Sequence, residues 1–384
     1  MLRQKRSFYI IGHNPNTLEE AKEFLDKGAN GLEPDIVHCN GKFYISHSPQ
    51  SSYENIQTVE EYLQGLKALL YTRRYNLAII LWDLKVTDFD INEFMAVVKE
   101  NFSGGPCNDV VMLLTHSDDH EFVSSYHGQH SNVGIGLDES NVSPRDLAGM
   151  FKNSGHKNFS YADGITTVLH KPEVFKNVRE ALHHRDTSDT NSFKFVYTWV
   201  LARPIAMRKY LGNHVDAIMV DIASVDRLKE LITTQPYSEA YQLAQGGHNP
   251  FSTTIPHYLL TVKTKDQWRA GTNAEFIFTL TGTSGVTLKS LPFIANAEGV
   301  FEKGTTSFLT LEGMDVGEIE SLAIEGLTSG LGAGWLPEKI SVESKMLSRK
   351  YEFDFSADKN EWITKKLGPV VKFPSVYGAK STAG

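Results

Sequence analysis

An alternation limits this chain more than any other feature. Apolar segments at 8–13, 31–37, 77–85, 110–116, 133–138, 159–162, 194–200 and 217–222 read as strands, and most of the stretches between them repeat apolar residues at helical spacing. Helices are predicted over 17–28, 58–74, 91–101, 143–154, 171–184, 204–211 and 224–233. The first opens on Thr17, carries Glu20 three residues later and stops at Gly28, a capping box closed by a glycine. Pro144 stands in the first turn of the fourth. Eight strand–helix units over about 250 residues are the arithmetic of an α/β fold of the (β/α)8 TIM barrel type. A doubly wound open sheet is the alternative.

At Asn249-Pro250-Phe251-Ser252-Thr253-Thr254-Ile255-Pro256 the alternation stops, and the composition is that of a linker. Beyond it, short strands at 258–264, 275–282, 285–291, 306–311, 319–325, 336–344 and 350–354 are separated by turn residues with little helix. That pattern predicts a C-terminal β-sandwich. The chain therefore reads as a barrel over 1–248, a linker over 249–256, a sandwich over 257–366 and a tail over 367–384 whose last residues, 381–384, fray.

Charge and histidine are unevenly shared. The net charge of −8 argues against nucleic acid as a partner. Residues 257–384 carry 15 acidic and 14 basic side chains, so the excess of acid belongs to the first two-thirds. Thirteen of the 14 histidines precede residue 257, and imidazole chemistry belongs there too. No run of eighteen apolar residues exists to span a bilayer. The opening Met1-Leu2-Arg3-Gln4-Lys5-Arg6 leads straight into a strand without a secretory apolar region, which fits a cytoplasmic protein or a mature secreted one. Cys39 and Cys107 form one bridge or remain two thiols; sequence leaves both open.

The second strand carries the chemistry. Glu33 and Asp35 are spaced i, i+2, which puts both carboxylates on one face. Like charges that close repel, and a hard divalent cation held by oxygen ligands is the physical reason to keep them together. His13 ends the strand before, and His47 follows the apolar run after. The third strand ends in Asp83 and Lys85, again at i, i+2. Asp83 completes a three-carboxylate set suited to Mg2+ rather than zinc, with Lys85 as a fixed positive charge beside it. A divalent ion, a lysine and two histidines suit phosphodiester cleavage: one imidazole takes a proton and the other returns one.

The pattern Gly12-His13…Gly28-Ala29-Asn30-Gly31-Leu32-Glu33-Pro34-Asp35…His47 resembles the glycerophosphodiester phosphodiesterase-like superfamily. Leu81-Trp82-Asp83-Leu84-Lys85 and Val196-Tyr197-Thr198-Trp199-Val200 resemble strands of its sphingomyelinase D/phospholipase D toxin branch. Ile218-Met219-Val220-Asp221 resembles the eighth strand of that branch, which more often ends in Asn. His13-Asn14 departs from the His-Arg of the ordinary hydrolases, and 48–55 lacks the cysteines of the spider toxins. The resemblance implies an acid/base pair of His13 and His47. It also implies Mg2+ on Glu33, Asp35 and Asp83, and a headgroup pocket lined by Lys85, Tyr197, Trp199 and Asp221. The implied reaction is attack by the substrate's own hydroxyl on phosphorus, leaving a cyclic phosphate from sphingomyelin or a lysophospholipid. Hydrolysis with water, as in a glycerophosphodiester phosphodiesterase, and a non-catalytic lipid-docking role are the alternatives. Secretion is implied by the same resemblance.

The second part, from Tyr258 through Gly271-Thr272-Asn273-Ala274 and on to Gly334-Trp335, resembles a PLAT (lipoxygenase-homology) domain. It implies peripheral contact with a phospholipid membrane and, at Gly271, Thr272 and Asn273, a candidate Ca2+ loop. Trp268, Trp335 and Trp362 are the candidates for insertion at the headgroup level, although such tryptophans are more often core residues. Nothing in the sequence fixes an oligomeric state.

Overall fold

A computed structural model of the chain describes residues 4–384 except 129, 139–141, 165–171, 188–192, 253, 296–298, 331, 345, 357–361, 375 and 380–384. The frayed end expected at 381–384 lies outside the described residues. Two compact units emerge, one built on Arg6–Met207 with Val215–Thr253, the other on Arg208–His214 with Thr254–Gly384.

In the first unit, strands β1 (Arg6–His13), β2 (Gly31–Glu33), β3 (Asp35–Cys39), β4 (Lys42–Ile45), β5 (Ile79–Leu84), β6 (Val111–His116), β7 (Val133–Leu137), β8 (Phe159–Gly164), β9 (Phe195–Trp199), β10 (Ala217–Val220) and β11 (Tyr241–Leu243) form one sheet. β1 pairs with both β2 and β10, all in parallel, and β2 pairs on with β5, so the ring closes as the (β/α)8 barrel expected. β3 continues the second stave past Pro34, and β4 folds back on it antiparallel.

The helices are α1 (Leu18–Lys27), α2 (Val59–Tyr71), α3 (Ile91–Asn101), α4 (His120–Ser124), α5 (Pro144–Asn153), α6 (Pro172–Thr187), α7 (Pro204–Leu211) and α8 (Val225–Thr233). The Thr17–Glu20 box closes reciprocally, with Thr17 N donating to Glu20 Oε2 at 2.9 Å. Gly28 ends α1 at φ 97°, a left-handed backbone that glycine adopts without a Cβ clash. α4 is a single short turn that sequence periodicity does not reveal. Asp119 caps it through the Phe122 amide.

The barrel is filled from its N-terminal end by Tyr9, Ile79, Val111, Phe195 and Ala217, all essentially fully buried. Phe251 joins that cluster, its ring taking the space a side chain at Gly134 would need. Composition alone places Phe251 in the linker, yet its apolar ring packs into the barrel core. Cys39 and Cys107 are free thiols.

The second unit contains two antiparallel sheets, as expected of a sandwich. One orders β16 (Thr306–Glu312), β12 (His257–Thr264), β18 (Pro337–Ser344), β19 (Arg349–Asp354) and β21 (Val376–Ala379). The other orders β14 (Thr287–Lys289), β13 (Glu275–Gly282), β17 (Ile319–Gly326) and β20 (Val370–Lys372), with β15 (Phe293–Ile294) beside β13. β20 and β21 fall in the stretch read from sequence as a tail; each is too short to show a period and is defined by its partner strand. Among the described residues no helix is long and apolar enough to cross a membrane.

Candidate active site

Register builds the site. His13 and Glu33 are partners across β1 and β2, and Asp35 and Asp83 are partners across β3 and β5. Between the two acids stands Pro34, which has no N–H to give a neighbour. Its carbonyl still accepts from Asp83 N at 3.2 Å. The stave thus presents Glu33 beside β1 and Asp35 beside β5. Oxygens of Glu33, Asp35 and Asp83 lie within 4.8 Å of one another, and all three residues are buried. They form the one group of three or more acidic, histidine or cysteine ligands of that kind among the described residues.

Lys85 Nζ lies 2.8 Å from Asp35 Oδ1 and also pairs with Asp83. Burial alone would lower its pKa, but Asp83 and Asp35 outweigh burial and raise it. Burial, then Asp83 and Asp35, push the Glu33 carboxyl well above the ordinary carboxylate range. Three carboxylates against one ammonium leave a buried excess of negative charge. An all-oxygen set with that excess fits a hard divalent cation such as Mg2+.

Two asparagines to which the sequence assigns no role complete the shell. Asn14, in the left-handed region at φ 53°, turns its backbone N–H to Glu33 Oε2 at 2.9 Å. With its amide NH2 facing the acids, it also donates to Asp35 Oδ2 and His13 Nε2, each at 3.2 Å. Asn16 Nδ2 donates to Asp35 Oδ2 at 2.6 Å, and Asn16 Oδ1 accepts from Asp35 N at 2.9 Å.

Each histidine has a carboxylate at its Nδ1. For His13 it is Asp221 Oδ1 at 3.5 Å; for His47 it is Asp35 Oδ2 at 3.2 Å. A carboxylate at Nδ1 favours the tautomer that leaves Nε2 as the working nitrogen. Burial lowers the His13 pKa, and Asp221 works against that shift without cancelling it.

Tyr197 is fully buried, its hydroxyl donating to Asp138 Oδ1, while Trp199 Nε1 donates to the Asp138 carbonyl at 2.8 Å. The Tyr197 hydroxyl is thus engaged by Asp138 inside the barrel, whereas Trp199 is half-buried. A Cβ at Gly164 would sit 1.8 Å from the Trp199 carbonyl, so only glycine admits that approach. Asp138 is the residue the sequence reading misses, although it ends the fifth predicted strand as Asp83 ends part of the third. Burial, then Asp83, push its carboxyl up to about 7.

In the sandwich, Thr272 Oγ1 donates to Gly332 O at 3.1 Å and accepts from Ala274 N, work that folds the Gly271–Asn273 turn. Trp335 is fully buried, against Phe301 at 4.5 Å, with its Nε1 donating to Thr264 Oγ1. Trp335 thus takes the core place that is the commoner one for a tryptophan of a sandwich, not the interfacial one. Trp362 is half-buried. Trp268 is 72% exposed, and the Arg269 guanidinium lies 3.9 Å from its ring centre.

Comparison with known proteins follows the same division. The family described as dermonecrotic toxin SPH matches residues 3–251, and the PLAT/LH2 domain matches residues 258–373. Dermonecrotic toxin LafSicTox-betaIE1 of Loxosceles aff. spinulosa is 25% identical over 274 residues, covering 64% of this chain and 99% of its own. Dermonecrotic toxin LarSicTox-alphaVII1 of Loxosceles arizonica is 24% identical over 277 residues, covering 64% and 100%. Among solved structures, coral 8R-lipoxygenase is 26% identical at a TM-score of 0.27, over 31% of this chain and 17% of that one.

Proposed function

The chain belongs to the dermonecrotic toxin SPH family and carries a PLAT/LH2 domain, and from that premise we propose a phospholipase D-type phosphodiesterase acting on sphingomyelin or lysophospholipids. The observation that carries the proposal is the convergence of Glu33, Asp35 and Asp83 within 4.8 Å, with Lys85 on Asp35 and Asp83 and the His47 imidazole also on Asp35.

Glu33, Asp35 and Asp83 would hold Mg2+, and the ion when bound supplies positive charge to the phosphate oxygens. Lys85 adds a second cation for the same phosphate. His13, whose burial favours the neutral ring, takes the proton from the attacking hydroxyl at Nε2. With the substrate's own hydroxyl as nucleophile, an O–P bond forms as the bond to the headgroup oxygen breaks. His47 returns a proton to that leaving oxygen. The products are a cyclic phosphate and the free alcohol, and atoms balance without water. An internal nucleophile has already lost most of the freedom that an external one would surrender. Trp199 and Asp221 border the headgroup at the rim.

We place the protein outside the cell, at a phospholipid surface, with the exposed Trp268 and its neighbour Arg269 as the first contact of the sandwich with headgroups. A headgroup-release assay across choline, ethanolamine and glycerol lipids, with EDTA and with Mg2+, tests the assignment. Release that needs Mg2+ supports it; a lack of release from every lipid overturns it.

A further inference from the structure

His47 is the more exposed of the two histidines, with 68% of its side chain accessible, and the contact that holds its ring is the one to Asp35. A side chain that open is placed chiefly by its backbone. That backbone starts a loop, 46–57, whose two ends are fastened side by side. Ser46 N donates to Asp35 O and Ile45 N to Gln57 O, both at 2.9 Å, and Tyr44 bridges Thr58. A loop with joined ends is compact only if its own side chains fill it.

Polar contacts fill this one. Ser46 Oγ donates to Ser48 O at 2.8 Å, and Gln50 Nε2 donates to Ser48 O at 3.0 Å and to Ser48 Oγ at 3.2 Å. Gln50 N donates to the Tyr53 hydroxyl at 2.9 Å, and Ile56 N donates to Tyr53 O. The Tyr53 ring rests on Tyr44 of β4, ring centres 4.4 Å apart and planes tilted by 33°. Tyr53 is therefore the point where the loop is pinned to the sheet. Its ring grips the strand that leads into His47, and its hydroxyl holds the backbone three residues after it. No cysteine lies in the loop to do this covalently.

We infer that Tyr53 is a positioning residue for His47, acting through the Gln50 amide and the Tyr44 ring. The inference rests on the acid–base role proposed above for His47. Loss of the pin leaves the site's other groups in place and lets the imidazole wander, and displacement by about 1 Å is enough to slow a reaction about a hundredfold.

The test compares Tyr53→Ala, Tyr53→Phe and His47→Ala on sphingomyelin in mixed micelles with Mg2+, with melting temperature and the His47 ring signal in NMR alongside. Tyr53→Ala is expected to lower kcat about 10- to 100-fold with KM within about twofold of the parent. Its melting temperature stays that of the parent and its His47 signal shifts or broadens. Tyr53→Phe, which keeps the stack and loses the hydroxyl acceptor, falls between. A Tyr53→Ala protein with parental kcat, with KM rising in step with the loss, or with an unchanged His47 signal overturns the inference. Should Tyr53→Ala fail to fold, Tyr53→Phe, which removes the oxygen that accepts from the Gln50 backbone N–H, decides in its place: a lowered kcat with a shifted His47 signal supports the inference, and parental kcat with an unchanged signal overturns it. A His47→Ala protein with full activity instead overturns the role of His47 itself, and the unchanged or changed NMR signal still decides whether Tyr53 places the ring.

Discussion

Asp35 and Asp83 face each other across two parallel strands as register partners, and Lys85, just past the end of β5, binds both carboxylates. The pairing is fixed by backbone hydrogen bonds of the barrel: Asp83 N donates to Pro34 O and Lys85 N to Ile36 O. Asp83→Asn should therefore leave the fold intact and weaken Mg2+ binding, read by titration calorimetry, with kcat down by about a hundredfold or more. A variant that binds Mg2+ as the parent does contradicts the ligand assignment.

Stability of the metal-free protein should fall as pH rises. Glu33 and Asp138 both have folded pKa values above their unfolded ones, each first through burial. A raised carboxyl favours the fold while it is protonated, and that contribution is lost as pH rises through the folded value. For Asp138 the window runs from its ordinary 3.8 up to about 7. Melting temperatures in EDTA should decline across this window, and Mg2+ should recover the loss at its upper end. A flat profile in EDTA contradicts the prediction.

Asp221→Asn should move the acid limb of kcat/KM to lower pH. The Asp221 carboxylate raises the His13 pKa against burial, which lowers it. Removing that charge lets the pKa fall further, so the neutral base persists into more acidic solution. A limb that stays in place, or moves to higher pH, contradicts the assignment of His13 as base.

The two tryptophans of the sandwich should separate cleanly. Trp335→Ala empties a fully buried site and should destabilise the protein by about 3–5 kcal/mol in chemical denaturation. Trp268→Ala should leave the melting temperature unchanged and weaken sedimentation with phosphatidylcholine–sphingomyelin vesicles. Equal vesicle binding by Trp268→Ala and the parent removes this residue from the docking surface.

Much of this was legible in the sequence because it follows from periodicity. Eight apolar runs predict the barrel, and the i, i+2 spacing of Glu33 and Asp35, repeated at Asp83 and Lys85, singles out the carboxylates that the structure brings within 4.8 Å of one another. What sequence could not convey is how register and packing use individual residues. Asp138 sits at a strand end like Asp83, but its value lies in contacts with Tyr197 and Trp199, 59 and 61 residues away. Asn14 and Asn16 matter through a left-handed turn and a side-chain loop back to Asp35, neither of which has a period. Phe251 reads as linker because its neighbours are Pro, Ser and Thr, and only the space above Gly134 assigns it to the barrel. Trp335 and Trp268 are chemically identical in sequence, and burial alone separates them.

Phosphorus NMR of the reaction with lysophosphatidylcholine tests the central claim most directly. Acids from neighbouring staves and the two imidazoles are proposed to drive an internal displacement at phosphorus. The expected spectrum shows a cyclic phosphate growing as choline is released, in Mg2+ and not in EDTA. An open-chain monoester from the first time point, or the same rate of choline release in EDTA, contradicts the account.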